Sequence, residues 1–353
     1  MPRVISRLAG VIFACACACL ALAAGSAAAE VPAGPRLTFM ELGENGSALV
    51  SADRDGADRR VIVGGNVNSL LLPFPFSRPS WSSDGSHFAF TGIRRSGKNL
   101  VLDIYEAAAD GSEAGKLPRT RDGLAPVLSP DGRTLAFARE RQREARRPGK
   151  GEVTVFQSTS IWLLDIGRGT ISQLTPWRNE VFAFPSSFSP DGSTLAISRQ
   201  SHKRSAAIAI RLDGSGEALL ARNASDPVYS PDGTRLALTT VGTRMRIERK
   251  GEALTYAPTE LAIASADGSG LTRLTRTRNL ELSPSWDPSG QRIAYTLLTV
   301  ALGEANFLGA GDSIMQINAD GSCRTKVLSM PKVTLFGATW QPGPGREAGP
   351  ISC

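Results

Sequence analysis

An all-β ring of six four-stranded sheets is the architecture this sequence predicts, and three observations predict it. The first is a repeated turn: Ser-Pro-Asp-Gly stands at 129–132, 189–192 and 230–233, with diverged copies Ser82-Ser83-Asp84-Gly85 and Asp287-Pro288-Ser289-Gly290. Each copy follows an apolar or aromatic step (Trp81, Leu128, Phe188, Tyr229, Trp286) and precedes a strand-like run such as Phe88-Ala89-Phe90 or Leu135-Ala136-Phe137. Pro fixes φ at the first turn position and Gly accepts the positive φ that ends it, so each copy reads as a β-hairpin. The second is the spacing: the copies recur every 41 to 60 residues, the signature of propeller blades with insertions of variable length. The third is a second turn that alternates with the first, around Asp110-Gly111, Gly167-Arg168-Gly169, Asp213-Gly214, Asp267-Gly268 and Asp320-Gly321. One unit is then four strands, A and B around the first turn and C and D around the second.

Taken in order, residues 1–29 read as a cleaved export signal. Arg3 and Arg7 make a short basic start, and the apolar run from Gly10 to Ala24 is short for a membrane span. Ala27-Ala28-Ala29 then forms a small-residue cleavage site before Glu30. The other readings of this run are an uncleaved anchor and lipid attachment at Cys15, Cys17 or Cys19, for which Phe13-Ala14 is a poor context. Residues 30–353 are expected to be one propeller domain of a periplasmic or secreted protein. With 41% hydrophobic residues the chain can bury a core, and a net charge of +7 is modestly basic. That balance gives no reason to expect specific nucleic-acid binding.

Five full units run over 79–118, 126–175, 185–221, 226–275 and 284–329. Two leftovers fit each other. Leu37 to Met40 looks like a B strand and Leu49 to Val63 like C and D, while Ala338 to Gln341 looks like the missing A strand. Together they make a sixth blade that closes the ring and removes exposed sheet edges. The turn residues Asp84, Gly85, Asp131, Gly132, Asp191, Gly192, Asp232, Gly233 and Gly290 are therefore structural. Only Cys323 and Cys353 follow the signal, an even number that suits one disulfide in an exported protein. The tail beyond Pro342 can reach up to about 40 Å, enough to bring Cys353 to the turn that carries Cys323.

The repeats resemble those of the TolB-type, WD40-like six-bladed β-propeller. The likeness is carried by Pro79-Ser80-Trp81-Ser82-Ser83-Asp84-Gly85, Pro227-Val228-Tyr229-Ser230-Pro231-Asp232-Gly233 and Pro284-Ser285-Trp286. It covers about residues 36–345, and it speaks for fold more than function, because these motifs shape turns. TolB carries an additional amino-terminal α/β domain, which this sequence is expected to lack.

Motifs that carry chemistry are sparse. His87 and His202 fall on different blades and do not make the ligand cluster of related metal-dependent propellers. There is no Gly-x-Ser-x-Gly nucleophile elbow. The run from Gly92 to Lys98 matches most of a phosphate-binding loop, but Asn99 replaces the Ser or Thr and a strand follows, so a basic hairpin is the better reading. Asp53 to Asp58 resembles a calcium loop only faintly and reads as a C–D turn. No catalytic residue, metal or cofactor is assigned.

One face of the ring differs. The A–B and C–D turns fall on one side and the B–C loops on the other. The B–C loops carry Arg94, Arg95 and Lys98; Arg139, Arg141, Arg143, Arg146, Arg147 and Lys150; Arg199, Lys203 and Arg204; and Arg244, Arg246, Arg249 and Lys250. In these four blades sixteen basic residues stand against five acidic ones, while the fifth B–C loop carries Glu304 and Asp312 and the sixth Glu41 and Glu44, so one sector is acidic. The connections Leu70 to Phe76 and Trp177 to Phe184 add aromatic residues beside them. This combination suits a protein or an anionic envelope component, with a membrane surface as one form of it. The expectation is a monomeric, non-catalytic binding module, and the binding residues are Arg94, Arg95, Lys98, Arg141, Arg143, Arg146, Arg147, Lys203, Arg204, Arg246, Arg249 and Lys250. The alternative is a carbohydrate-active hydrolase or lyase using carboxylates such as Asp226 or Asp287 near the channel.

Overall fold

The computed structural model describes residues 34–43, 46–64, 69–71, 78–96, 99–146, 153–201, 204–249, 252–299, 313–343 and 349–353. The segment read as an export signal lies outside the described residues. All regular elements among the described residues are strands, numbered here in chain order. β1 (Arg36–Gly43), β2 (Gly46–Asp53) and β3 (Arg60–Gly64) begin the first antiparallel sheet. In the second, β4 (Ser69–Leu71) and β5 (Ser80–Trp81) lie along β6 (His87–Ser96), followed by β7 (Asn99–Ala108) and β8 (Gly115–Lys116). The third runs β9 (Gly123–Leu128), β10 (Thr134–Arg146), β11 (Val153–Asp165) and β12 (Thr170–Gln173). The fourth runs β13 (Val181–Phe188), β14 (Thr194–Ser201), β15 (Ser205–Arg211) and β16 (Glu217–Arg222).

After β17 (Ala224–Tyr229) and β18 (Arg235–Val241), a separate ribbon, β19 (Met245–Arg249) with β20 (Glu252–Tyr256), interrupts the sheet before β21 (Thr259–Ser265) and β22 (Thr272–Arg273). β23 (Leu280–Trp286), β24 (Arg292–Leu298), β25 (Ser313–Asn318) and β26 (Thr325–Ser329) follow. One parallel bridge, Thr259 with Leu280, links these two antiparallel four-strand runs into one eight-stranded sheet. The last strand, β27 (Thr334–Trp340), returns to the first sheet, with Leu37 opposite Trp340, Thr38 opposite Thr339 and Met40 opposite Phe336. The molecule is an all-β propeller of four-stranded antiparallel blades.

The inner strands begin earlier than the sequence suggests, at Gly123, Val181, Ala224 and Leu280. The prolines that look like strand starts, Pro126, Pro185, Pro227 and Pro284, sit instead at a bulge within each inner strand. A bulge leaves residues out of the ladder, so a residue with no N–H is tolerated there. Ala125, Asp226 and Ser283 take positive φ in three of these bulges, and Gly337 does so in the matching bulge of β27.

The Ser-Pro-Asp-Gly repeat is a closed set of local hydrogen bonds. In the third sheet, Gly132 N–H donates to the Ser129 carbonyl, Ser129 Oγ donates to Asp131 Oδ1 at 2.6 Å, and Thr134 N–H donates back to Ser129 Oγ. The same set recurs at Ser189 and Ser230. These donors hold Asp131, Asp191 and Asp232 below the ordinary carboxylate range, and bring Asp84 to about 2. In the Asp-Pro-Ser-Gly copy, the fully buried Asp287 takes the place of the Ser and accepts from Gln291 and Arg292 N–H. The recurrent Thr at the end of the D segment is structural too, since Thr120, Thr175 and Thr275 Oγ1 accept from the N–H of Ile104, Ile161 and Leu261.

The core lies in seams between neighbouring blades. Ala89, Ala136, Ala196, Ala237 and Ala294 stand at one position of successive B strands and are fully buried. A methyl there lets the next blade approach with its larger side chains, as Leu236 and Leu238 do against Ala196 and Ala207. Glycines in the outer turns allow the same approach: a Cβ on Gly111 would lie 1.5 Å from the Ile62 carbonyl oxygen, and one on Gly268 2.2 Å from that of Leu220. Inner strands are latched to their neighbours by serines, with Leu128, Tyr229 and Trp340 N–H donating to Ser80, Ser187 and Ser285 Oγ.

The ends are tied as well as paired. Cys323 and Cys353 form a disulfide with a Cα–Cα distance of 5.2 Å. Asn318 exchanges two hydrogen bonds with the Ile351 backbone, and Arg292 Nε donates to the Gly349 carbonyl. Replacing Cys353 by Ser should lower the unfolding free energy by about 3–4 kcal/mol, the chain-entropy value for a loop of this length. Denaturant titration of oxidised protein and variant checks it, and equal midpoints would contradict it. Removing residues 334–353 should expose the β1 edge and give an aggregating protein by size-exclusion chromatography; a monomeric product with an unchanged melting temperature would contradict the closure.

Candidate functional site

Two regions bring together side chains whose placement is not explained by a turn or a core seam. The first is the wall of the central channel. The residue three before each Trp81-type step is Arg78, just ahead of β5, and Ala125, Pro185, Asp226, Ser283 and Gly337, each within another inner strand. Arg78 is the long one. Its guanidinium donates to the carbonyl of Pro284 at 2.7 Å and to that of Ser186, on β23 and β13. Asp226, on the strand between those two in chain order, is buried and interacts electrostatically with it. Arg78 therefore acts as a strut across the channel, held by carbonyls of two other inner strands. Burial raises the Asp226 carboxyl above its ordinary value, and the nearby Arg78 charge pulls it down. Burial likewise lowers Arg78, opposed by Asp226.

This arrangement does not converge two carboxylates. Asp226 faces an arginine, and Asp287 is consumed by its own turn.

The second region is the face that carries the B–C segments. Three of these segments are not loops. β6 and β7 continue in register to Ser96 and Asn99, β10 and β11 to Arg146 and Val153, and β19 with β20 forms its own ribbon. The sequence shows these stretches as charged and Gly-containing, which masks the alternation that marks a strand. The β10–β11 ribbon projects beyond its blade, because β9 pairs with β10 only as far as Arg139 and β12 with β11 only as far as Trp162.

The basic residues on this face have different fates. Arg94 is bound to the fully buried Asp103 at 2.5 Å, and Arg199 makes two 2.7 Å bonds to Glu217. Their charges are internally compensated. Arg204 and Arg246 are exposed. Arg139 stacks on Trp162 at 4.8 Å and donates to the Arg119 carbonyl, and Arg141 stacks on Trp177 at 4.5 Å. Such contacts fix a guanidinium over an indole without neutralising it. Lys98, Arg147, Lys150, Lys203 and Lys250 lie outside the described residues, as do the side chains of Arg95, Arg143, Arg146 and Arg249. The run from 72 to 77 lies outside them too. Phe184, read as part of an aromatic rim, is instead buried against Leu124, Ala125 and Ala138, with Phe182 packed beside it.

Comparison with known proteins supports the fold. No protein-family model and no curated protein matches the sequence. Among solved structures, TolB from Acinetobacter baumannii matches at a TM-score of 0.60 and 19% identity, covering 87% of this chain and 67% of that one. A putative TolB from Agrobacterium tumefaciens matches at 0.55 and 16%, covering 88% of this chain and 99% of that one. A chain of a nidogen/laminin complex matches at 0.55 and 12%, covering 87% and 98%. At these identities the likeness is one of architecture: this is a β-propeller with the TolB-type fold.

The Arg78 strut predicts both a stability loss and its pH dependence. Arg78→Met removes charged hydrogen bonds to two carbonyls and the countercharge near buried Asp226, and should cost at least about 1.5–3 kcal/mol, partly recovered in Arg78→Met/Asp226→Leu. A carboxyl raised on folding binds more protons in the folded state, so its contribution to stability falls as pH rises above its unfolded value. The single variant should therefore lose more stability at neutral pH than near pH 4. Thermal melts across pH check this, and a pH-independent loss would contradict it.

Proposed function

We propose that this protein is an exported, non-catalytic six-bladed propeller that binds a protein or anionic envelope partner through the face bearing its basic ribbons. The six-blade count treats the eight-stranded sheet as two blades. The seam of Ala237 and Leu261 against Trp286 and Ile293 supports it, since it packs between the two halves as other seams pack between separate sheets. Export rests on the signal-like residues 1–29 and is supported by the disulfide, which belongs to oxidising compartments. A binding role agrees with one structural neighbour, a chain of a nidogen/laminin complex.

The observation that carries the reading is the difference between the two faces. On the turn face the aspartates of both turn types are held by their own serines and backbone N–H groups, as Asp131 and Asp320 are. On the ribbon face Arg141 is held by a ring, not by an acid, and Arg204 is exposed. Changing Arg141, Arg143, Arg146 and Arg147 to Ser should leave the melting temperature within a few degrees and weaken co-sedimentation with anionic liposomes or cell-wall polymer. Binding by the unaltered protein should also fall steeply as salt shortens the screening length to about 8 Å. Binding that is equal in the variant, or insensitive to salt, would overturn the assignment of the face.

A further inference from the structure

The β10–β11 ribbon has an edge that the fold leaves open. Beyond Arg139, no strand among the described residues pairs with the far side of β10. Glu140 N–H donates to the Asp122 carbonyl, which shows that this residue turns its backbone groups away from β11. Strand parity places the backbone groups of Gln142, Glu144 and Arg146 on the same side, past the end of β9. Exposed edges of this kind are templates for an added strand.

The same stretch carries a row of arginines. Arg139, Arg141 and Arg143 occupy alternate register positions opposite Ser160, Ser158 and Phe156. Alternate residues share one face of a strand and stand about 7 Å apart. The first two are held on Trp162 and Trp177, and the Nε of each is buried without a hydrogen-bond acceptor. No carboxylate among the described residues is within ion-pair distance of Arg141, although Arg94, Arg168 and Arg199 all have one. A guanidinium fixed on a ring, with no carboxylate beside it, keeps its terminal nitrogens for an oxyanion.

We propose that the open edge of β10 over residues 140–146 docks an extended acidic segment of a protein partner, which adds as a strand and sets its alternate carboxylates against the arginine row. This rests on the reading of the ribbon face as the docking face and names the partner's chemistry. An extended peptide with an acid at every second residue repeats at the spacing of the arginines, and its backbone supplies the groups the edge lacks. Directly opposed opposite charges are the favoured cross-strand pairs, whereas an anionic polymer without amides would fill the arginines and leave the edge unpaired.

The test uses a fluorescein-labelled peptide of about twelve residues alternating Thr and Glu, read by fluorescence anisotropy with the full-length protein at low salt. Two control peptides share its charge: one has the Glu residues in a block, the other is N-methylated on every second amide. The alternating peptide should bind, and both controls should bind at least about tenfold more weakly. Arg141→Gln/Arg143→Gln should weaken the alternating peptide by a similar factor, while Arg204→Gln/Arg246→Gln changes it by less than about threefold. Arg143→Gln alone serves if the double variant melts early. Equal binding of all three peptides, or of linear polyphosphate in place of any peptide, would overturn strand addition. Loss of binding in the Arg204/Arg246 variant alone would keep the face and overturn this site on it. No binding of any acidic probe would overturn both.

Discussion

The pairing of β27 with β1 is the contact on which the rest of the ring depends. It joins residues some 300 positions apart, Leu37 with Trp340 and Thr38 with Thr339, and so completes the first sheet with the last strand. Without it the first sheet has three strands and an open inner edge. Neighbouring contacts all reinforce this closure. Gln341 donates to the Gly85 carbonyl, Trp340 is latched to Ser285, and the tail is fastened to Asn318, Arg292 and Cys323. A ring of blades opens first where one strand is exchanged between chain ends, and here that strand is restrained from both sides.

A closed ring creates two faces and a channel, and the sequence treats them differently. The turn face is built from a repeated hydrogen-bond set whose aspartates are committed locally, so its acidity is largely a by-product of turn formation. The channel is crossed by Arg78, which exchanges hydration for two carbonyls and the field of Asp226. Among the described residues, the ribbon face is the one from which paired strands project past their blades. Cation–π stacking gives the β10–β11 ribbon stiffness while leaving its charge available. Geometry and charge thus converge on the side farthest from the repeated turns.

Much of this was legible in the sequence because the repeats are local. Ser129-Pro130-Asp131-Gly132 specifies its turn within six residues, and five copies of it fix the blade spacing. The closing strand and the disulfide were legible by elimination, as leftovers at the two ends that fit each other. The strand starts were not, since Pro126 and Pro227 look like boundaries until the bulge around them is seen. The site was legible only as composition. The compensation of Arg94 by Asp103 and of Arg199 by Glu217 depends on cross-strand neighbours, and the Arg141–Trp177 stack joins segments 36 residues apart. Arg78 had no local signal at all; aligning the residue three before each Trp81-type step would have set it against Asp226 and shown two charges among small residues.

Hydrogen exchange resolved along the chain tests the central claim most directly. If β27 closes the ring, the amides of Leu335 to Trp340 and their partners in β1 should exchange as slowly as those of β14 and β24, and both strands should speed up together when the disulfide is reduced. Fast exchange of 335–340 in the oxidised protein, with β14 and β24 still protected, would contradict the closure and with it the account of how the two faces are held.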